Sequence, residues 1–401
     1  MRGACRKFAT GDSLSPIDRG DGNVMAKLGD VCTIVSGTTP KTSVSEYWDG
    51  NINWITPAEL NEDTVVINES KRKITKAGVN SCGLSPFPAG TVILSSRAPI
   101  GKTAIAGTEM YCNQGFKNLI CSDKIHNKYL FWFLRSKTEM LNSLGRGATF
   151  KEISKSIVEN IEIPLPDLPT QQRIADTLDK VSEGIEVCRK MLEKLEVMVQ
   201  SRFKEMMDSA ELGDETTVEK ITERVKVGFV GTCEKYYTDE KGIPMIRTGN
   251  ITNHGIDMRN LKYVTSEFNK RNMKSQIHNG DLLIARHGSN GQASVYEGSE
   301  AQCLNAVVIV PNQTVAKSRF LAELINSPAI KEQINRTLVG STQNVVNTKS
   351  IANLTIRIPS LKLQEEYESY VEKIDKTKLT IQKILDKMEL EKLALMQEYF
   401  G

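Results

Sequence analysis

Residues 163–206 read IPLPDLPTQQRIADTLDKVSEGIEVCRKMLEKLEVMVQSRFKEM and decide the architecture of the chain. Three prolines near the start fix φ and prevent an earlier helix, and Asp167 or Thr170 can cap the helix that follows. Apolar side chains then recur in a heptad seam, at Ile174, Leu178, Val181, Ile185, Cys188, Leu192, Leu195 and Val199. Phe203 and Met206 continue this seam after a step that resembles a stutter. The stretch therefore predicts a long amphipathic helix.

A second seam of the same kind occupies the C-terminal end of the chain. Its positions are Tyr367, Val371, Ile374, Lys378, Ile381, Leu385, Met388, Lys392, Leu395 and Tyr399. The two lysines weaken a coiled coil but help to define its register and partner. At ~1.5 Å per residue each seam is a rod of roughly 50 Å. We expect the two helices to pair as an antiparallel coiled coil, and the alternative is that each packs only on its own globule.

The chain also repeats itself once. The tripeptide LGD at residues 28–30 recurs at 212–214, and GTVIL at 90–94 has its counterpart in GDLLI at 280–284. Further matches join 53–56 to 244–247 and 160–163 to 353–356, and they join Leu168 and Gln171 to Leu361 and Gln364. Chance explains one short apolar match but explains poorly five that keep their order. Two copies of one domain, each followed by a helix, are therefore predicted.

Short β-like runs broken by Gly, Pro and Asn, with a few short helical stretches, make each copy an α+β globule. The predicted fold is two similar α+β domains separated by two long helices, with a pseudo-twofold axis. The predicted segments are a disordered extension at 1–24, a first domain at 25–169, a first helix at 170–210, a second domain at 211–363 and a second helix at 364–401.

Composition excludes several classes of protein. Apolar residues make up 39% of the 401 residues and charged residues 25%, an ordinary globular balance. No run approaches the ~18 apolar residues of a membrane-spanning helix, and no secretion signal opens the chain. The eight cysteines stand singly and there are only four histidines, so we expect no metal site and free thiols in a reducing cytoplasm. A net charge of +3 still allows a DNA reader with local positive charge.

Polar loops rich in Gly occur at corresponding places in the two copies, and their side chains are of the types that contact bases and phosphates. In the first copy the candidates are Thr38, Lys41, Thr42, Arg97, Lys102, Asn113, Gln114, Lys117, Arg146, Thr149 and Lys151. In the second they are Arg247, Thr248, Asn250, Arg286, His287, Asn290, Gln292, Asn305, Thr342, Gln343 and Asn344. The alternative for any one of them is an ordinary solvated turn. Arg286 and Asn290, directly after an apolar strand, are our hypothesis for base contacts.

Motifs for catalysis are missing. The tripeptide GKT at 101–103 fails as a phosphate-binding loop because position 96 is Ser where that motif needs Gly. The sequence contains neither a G-x-G-x-x-G run after a strand nor the H-E-x-x-H and G-x-S-x-G motifs. Acid and base groups brought together only by folding remain open. The sequence favours a binding and positioning protein without a catalytic residue.

Several short motifs of the chain resemble those of a known protein family. Residues 36–40 (SGTTP), 46–48 (EYW) and 52–57 (INWITP) resemble the opening of a target recognition domain in specificity subunits of type I restriction-modification systems. Residues 164–174 and 358–364 resemble the start of that family's two spacer helices. The likeness covers residues 27–401 in the family's order of domain, helix, domain, helix. The second copy lacks the Trp-rich opening. The resemblance implies such a difference, because in this family each of the two domains reads a different half-site.

The resemblance implies a non-catalytic subunit that binds a bipartite, asymmetric DNA sequence, with the coiled coil as a ruler between half-sites. Two methyltransferase subunits would supply S-adenosylmethionine and flip an adenine for N6 methylation. Endonuclease/translocase subunits would add ATP- and Mg²⁺-dependent cleavage, so this chain would hold no cofactor. The alternatives are a coiled-coil scaffold or adaptor without sequence-specific DNA binding, and the recognition arm of a methyltransferase that lacks the endonuclease.

Overall fold

A computed structural model describes residues 24–61, 64–97, 99–147, 151–239, 241–252, 255–286, 291–338 and 345–401. The chain forms two compact units. The first unit comprises Met1–Cys188 with Ile384–Gly401, and the second comprises Arg189–Lys383. The predicted extension at 1–24 lies outside the described residues except for Val24.

Among the described residues, ten strands and five short α-helices precede the first long helix. They are β1 (Met25–Lys27), α1 (Leu28–Val31), β2 (Cys32–Val35), β3 (Trp48–Ile55), β4 (Val66–Ile67), β5 (Lys73–Ile74), α2 (Lys76–Ser81), β6 (Val92–Leu94), β7 (Thr103–Ala106), β8 (Tyr111–Cys112), β9 (Asn118–Cys121), α3 (Asn127–Ser136), α4 (Thr138–Leu144), α5 (Lys155–Glu159) and β10 (Glu162–Pro164). The sheets have the strand orders β2-β9-β6-β7-β4, β5-β3-β8 and β1-β10. Helix α6 (Leu168–Ser209) follows, beginning in the first unit and ending in the second.

The elements after α6 reproduce this plan. They are β11 (Thr216–Thr217), β12 (Thr222–Val227), β13 (Tyr237–Thr238), β14 (Ile243–Arg247), β15 (Ile251–Thr252), β16 (Gly255–Ile256), β17 (Lys262–Val264), α7 (Ser266–Arg271), β18 (Gln276–Ile277), β19 (Leu282–Ala285), β20 (Ala293–Val295), β21 (Ala301–Leu304), β22 (Ala306–Pro311), α8 (Ser318–Asn326), α9 (Pro328–Leu338), α10 (Thr348–Ala352), β23 (Thr355–Ile356) and α11 (Leu361–Phe400).

Sheet topology confirms the internal repeat. The order β12-β22-β19-β20 of the second unit matches β2-β9-β6-β7 of the first, and β11-β23 matches β1-β10. Both units contain a corresponding parallel pair, with Ile55 beside Cys112 in the first and Ile246 beside Cys303 in the second. A parallel pair needs a long connection, so the two chain segments of each pair lie far apart in sequence. The predicted α+β class with two long helices is confirmed.

Each core is built around a helix that follows the sheet. In α3 every residue from Tyr129 to Leu134 is buried, because one side of the helix covers the sheet and the other meets the end of α11. The ring of Phe400 lies 5.3 Å from that of Tyr129. In the second unit Phe203 lies 5.3 Å from Phe320 of α8 and 5.5 Å from Tyr367 of α11. Aromatic contacts thus attach the long helices to each globule.

The two long helices run antiparallel within each unit. In the first unit Ile174 and Leu178, near the start of α6, share a cluster with Leu395 and Phe400 at the end of α11. In the second unit Phe203, near the end of α6, packs on the start of α11. The predicted seam residues Ile174, Leu178, Val181, Ile185, Ile374 and Leu385 are buried, and Leu192, Leu195, Val371, Ile381, Met388 and Leu395 are half-buried.

The lysines at seam positions are directed toward their own globules. The ammonium of Lys392 lies 4.8 Å from the centroid of the Trp132 ring in the first unit, a cation–π distance. In the second unit Lys378 acts electrostatically on the half-buried Glu323, whose pKa is raised because burial outweighs this attraction. Both lysines therefore interact with the helix that covers a sheet.

A buried glutamine anchors the start of each long helix. Gln171 accepts a hydrogen bond from the His126 amide at 2.8 Å and donates to the carbonyls of Lys124 and Pro166. Gln364 accepts from Lys317 at 2.9 Å and donates to Val315 and Pro359 in the same way. Both side chains are fully buried, so the amide satisfies three backbone groups that water cannot reach.

Of the two predicted caps of α6, the side chain of Asp167 accepts the hydrogen bond from the Thr170 amide at 2.9 Å. Hydrogen bonds from the side chain and from the amide of Thr170 lower the pKa of Asp167. Proline 169 falls in the first helical turn, where its missing N–H has no helical partner to lose. Within the described part of the chain, no helix has both the length and the apolar character needed to cross a bilayer.

Candidate nucleic-acid interface

Two polar loops of the first unit meet at the end of β8. The backbone amide of Thr38 donates to the carbonyl of Cys112 at 3.1 Å. A Cβ at Gly37 would overlap that same carbonyl, so only glycine allows the two loops to approach so closely. Thr39 then donates to the side chain of Gln114 at 2.6 Å. The loop at 36–42 and the turn at 113–117 form one continuous surface.

Two tryptophans explain why the opening motif fixes this surface. The indole of Trp54 donates to the carbonyl of Thr38 at 3.1 Å, and that of Trp48 donates to the carbonyl of Lys41 at 3.2 Å. The two rings meet edge to face at 5.1 Å, and Arg72 lies 3.8 Å above Trp48. The buried indoles thus hold the loop in place through hydrogen bonds to its backbone carbonyls. The exposed Thr38, Lys41 and Thr42 side chains project from a fixed backbone.

A charged network lies beside this surface. The Oε2 atom of Glu152 lies 2.8 Å from Nη2 of Arg97, and Oε1 lies 3.2 Å from Nζ of Lys117. Backbone hydrogen bonds in both directions pair Glu152 with Arg146. Burial opposes ionisation of Glu152, but the hydrogen bonds from Arg97 and Lys117 outweigh it and lower the pKa of the carboxyl. The side chains of Arg97 and Lys117 therefore meet at one carboxylate that was not predicted from the sequence, and Arg146 pairs with the backbone of the same residue.

The remaining candidates of the first unit divide into exposed and internal positions. Gln114, Arg146 and Lys151 are exposed, as are Thr38, Lys41, Thr42 and Arg97. Lys102 is half-buried and donates to the carbonyl of Leu60 at 2.6 Å, and Asn113 accepts from the Gly115 amide at 2.9 Å. These two side chains shape loops and do not face solvent freely. Thr149 lies outside the described residues.

The second unit brings three of its candidates together. The Nη1 atom of Arg286 donates to Oδ1 of Asn305 at 3.0 Å, and Nε donates to the carbonyl of Val346 at 3.0 Å. The hydroxyl of Thr248 donates to the carbonyl of Asn305 at 2.8 Å. The backbone repeats the first unit, because Phe229 donates to the carbonyl of Cys303 as Thr38 does to Cys112. Thr248, Arg286 and Asn305 thus form one cluster.

The other described candidates of the second unit are also buried or half-buried. Asn250 is buried, accepts from the Arg247 amide at 3.0 Å and donates to the carbonyl of Asp257. Arg247 and Gln292 are half-buried, and Arg247 donates to the carbonyl of Asn260 at 3.2 Å. The predicted His287, Asn290, Thr342, Gln343 and Asn344 lie outside the described residues.

Lys331 was not predicted from the sequence, yet it binds the backbone of Gly291 in the loop that leads into β20. Its ammonium donates to the carbonyl of Gly291 at 2.7 Å. Burial lowers the pKa of Lys331 to about 8. No local pattern could have revealed it, because α9 and this loop are joined only by folding. Among the described residues no group of three or more His, Cys, Asp or Glu is arranged to hold a metal ion.

The long helices carry a second surface, an exposed apolar stripe outside the seam. In the first unit its residues are Val187, Leu390 and Leu393, and in the second they are Met191, Met198 and Leu379, which the helical repeat places on one face of each helix. Leu390 and Leu393 are 68% and 65% exposed.

Comparisons with known proteins agree with this architecture. The family model described as type I restriction modification DNA specificity domain matches residues 21–197 and 218–391. The specificity subunit of the type I restriction enzyme MjaIX from Methanocaldococcus jannaschii is 28% identical over 370 residues, 86% of this chain and 85% of that protein. The EcoBI specificity subunit from Escherichia coli is 19% identical over 339 residues, 76% of this chain and 72% of that protein.

A solved structure has the same fold. The type I restriction-modification S subunit from M. genitalium covers 96% of this chain and 98% of its own, with a TM-score of 0.58 and 15% identity. At that identity the likeness concerns the arrangement of elements, which is the order of domain, helix, domain, helix described above.

Proposed function

The chain belongs to the type I restriction-modification DNA specificity family, and from that premise we propose that each globular unit reads one half of a bipartite DNA site. The chain is a DNA specificity subunit, a non-catalytic member of its complex. The adaptor without sequence-specific DNA binding is not favoured. The adenine that becomes methylated lies within or beside the half-sites and is flipped into a partner's active site.

One observation carries the proposal: the two units place polar and basic side chains on the same backbone framework. Gly37 and Gly228 each press against the carbonyl of a cysteine, Cys112 and Cys303, at the end of a parallel strand. The side chains displayed there differ, with Lys41 and Gln114 in the first unit and Arg286 in the second. A shared framework with different contact residues suits two domains that read different base sequences.

The partners follow from the family and from the exposed stripe on the helices. Type I complexes join a specificity subunit to methyltransferase and restriction subunits. We propose that two methyltransferase subunits dock here, using the apolar stripe defined above, because such a stripe on a helix forms bundles with other amphipathic helices. Endonuclease/translocase subunits join a complete system, and a system without them is a methyltransferase only.

The cofactors belong to those partners in this proposal. S-adenosylmethionine binds the methyltransferase subunits, and ATP with Mg²⁺ binds the translocating endonuclease subunits. The chain itself recognises the DNA and positions these partner subunits. All seven cysteines of the described residues carry free thiols, which supports a reducing cytoplasmic location.

A selection experiment tests the proposal. The chain is assembled with the methyltransferase subunit encoded beside it, and the complex is offered random duplexes at physiological salt. We expect enrichment of a two-part sequence with a gap of fixed length. A complex that assembles but enriches no sequence would favour the adaptor, and enrichment of one contiguous sequence would exclude two separate readers.

A further inference from the structure

We propose that Glu152 is a positioning residue that sets the sequence discrimination of the first unit by holding Arg97 in place and by neutralising Lys117. The inference rests on the proposed function, since it names a determinant of the same DNA-reading surface. Glu152 itself need not touch DNA. Its carboxylate acts through the two basic side chains that it binds.

The first step concerns Arg97. Both Nε and Nη2 of its guanidinium lie 2.8 Å from Oε2 of Glu152, so one edge of the fork is fixed by the protein. The side chain is nevertheless 44% exposed, and guanidinium donors on the other edge remain for a ligand. An arginine held in one rotamer loses less entropy on binding and presents its donors in one direction. Such an arginine can discriminate between bases.

The second step concerns Lys117, whose side chain is only 8% exposed. Its ammonium lies 3.2 Å from Glu152 and 3.4 Å from the hydroxyl of Ser96. A buried cation needs a paired carboxylate, since an isolated one is strongly unfavourable. The same carboxylate offsets positive charge that would otherwise attract any phosphate. Glu152 therefore weakens binding to random DNA while it orders the contact residue.

The third step concerns the backbone of Glu152, which hydrogen bonds hold in place. The backbone of Glu152 pairs with Arg146 through two hydrogen bonds, at 2.9 and 3.0 Å, and bridges to Arg97. Among the described residues of the second unit, no carboxylate occupies the corresponding place. There Val346 donates to the carbonyl of Arg286 as Ile153 does to Ser96, which makes Val345 the equivalent of Glu152. Neutral oxygens of Asn305 and Val346 hold Arg286 instead. The effect of Glu152 is thus specific to the first unit.

The experiment compares Glu152→Gln with Glu159→Gln in the complete complex with methyltransferase subunits. Glu159 pairs with Lys155 at 3.7 Å on the surface of the same unit, so its substitution changes the charge equally. Affinities are measured on the selected duplex, on duplexes altered in either half-site and on random duplex, each over a range of salt. Thermal melting monitors folding.

For Glu152→Gln we expect roughly tenfold less discrimination at one half-site and unchanged discrimination at the other. Affinity for random duplex rises by about two- to fivefold, with a salt slope steeper by up to about one. Glu159→Gln changes none of these. In combination with Arg97→Ala, Glu152→Gln causes little further loss of discrimination, because Glu152 acts through that arginine.

If Glu152→Gln does not fold, the double variant Glu152→Gln with Lys117→Met removes the buried ammonium together with its half-buried carboxylate partner and is expected to lose discrimination at the same half-site. Equal losses at both half-sites, or a result like that of Glu159→Gln, would overturn the role of Glu152 while leaving the function intact. A wild-type complex that discriminates at neither half-site would overturn both the inference and the proposed function.

Discussion

At the scale of single residues, glycines decide how closely the reading loops approach the strands. A Cβ at Gly37 overlaps the carbonyl of Cys112, which belongs to the backbone and cannot rotate away. We expect Gly37→Ala to lower the free energy of unfolding by roughly 2–4 kcal/mol. Gly249→Ala is the control, since a Cβ there meets nothing within 4 Å. Denaturant unfolding measures both, and equal effects would show that the close approach is not a constraint.

Lys331 makes the stability depend on pH in a defined direction. Folding lowers its pKa from 10.5 to about 8, so the folded state binds this proton more weakly than the unfolded chain. Its contribution to stability is therefore present above the unfolded value and is lost as pH falls through about 8. Relative to wild type, Lys331→Met should be more stable at pH 7 than at pH 10, by about 1–2 kcal/mol because the half-buried ammonium is partly screened by solvent. A stability difference that does not change with pH would refute this origin.

The contacts of Glu152 show which part of the site could not be predicted from the sequence. Arg97, Lys117 and Arg146 were predicted as contacts because basic side chains in Gly-rich loops favour DNA. Their common partner Glu152 was not predicted, although it directly follows the candidate Lys151, because nothing local distinguishes a carboxylate that joins distant loops from one on the surface. Whether the individual candidates touch DNA stays a prediction.

At the scale of elements, the long helices were predictable because a heptad pattern is local. Helices α6 and α11 span 42 and 40 residues and bury their seams. The sheets were only partly predictable. The strands are short, and the pairing of β3 with β8 and of β14 with β21 joins segments separated by several other elements. Hydrophobic alternation predicts a strand but does not identify the strand with which it pairs.

The start of each long helix depends on its buried glutamine. Gln171→Leu removes three hydrogen bonds and leaves the His126 amide and two carbonyls without partners inside the core. We expect a loss of roughly 2–4 kcal/mol in the free energy of unfolding. The neighbouring Gln172 bonds only to the exposed Asp176, so Gln172→Leu is the matched control. If the two variants melt alike, the glutamine does not anchor the helix.

At the scale of the whole molecule, the sequence revealed the repeat because short motifs kept their order. Each unit combines one globule with segments of both long helices. This arrangement motivates a length test of the proposed ruler. Removing residues 186–192 together with 380–386 takes one heptad, ~10 Å, from each helix and preserves both seams. We expect a changed gap between half-sites or a loss of specific binding.

The control for the length test replaces exposed residues in the same two stretches without shortening them. It should keep the original gap. Both variants are assembled with methyltransferase subunits, and the duplexes that each complex selects give its preferred gap between half-sites. The same gap in the shortened and the full-length protein would show that helix length does not set the spacing.

The central claim is that two units of one chain read two half-sites, and methylation of cellular DNA tests it most directly. The chain is expressed with the methyltransferase subunit encoded beside it, and N6-methyladenine is mapped across the host genome by single-molecule sequencing. We predict a split motif with a fixed gap, methylated on both strands, and relaxation of one half alone in Arg286→Ala at a cost of ~1–3 kcal/mol. Methylation at a contiguous motif, or an identical motif when this chain is omitted, would contradict the account.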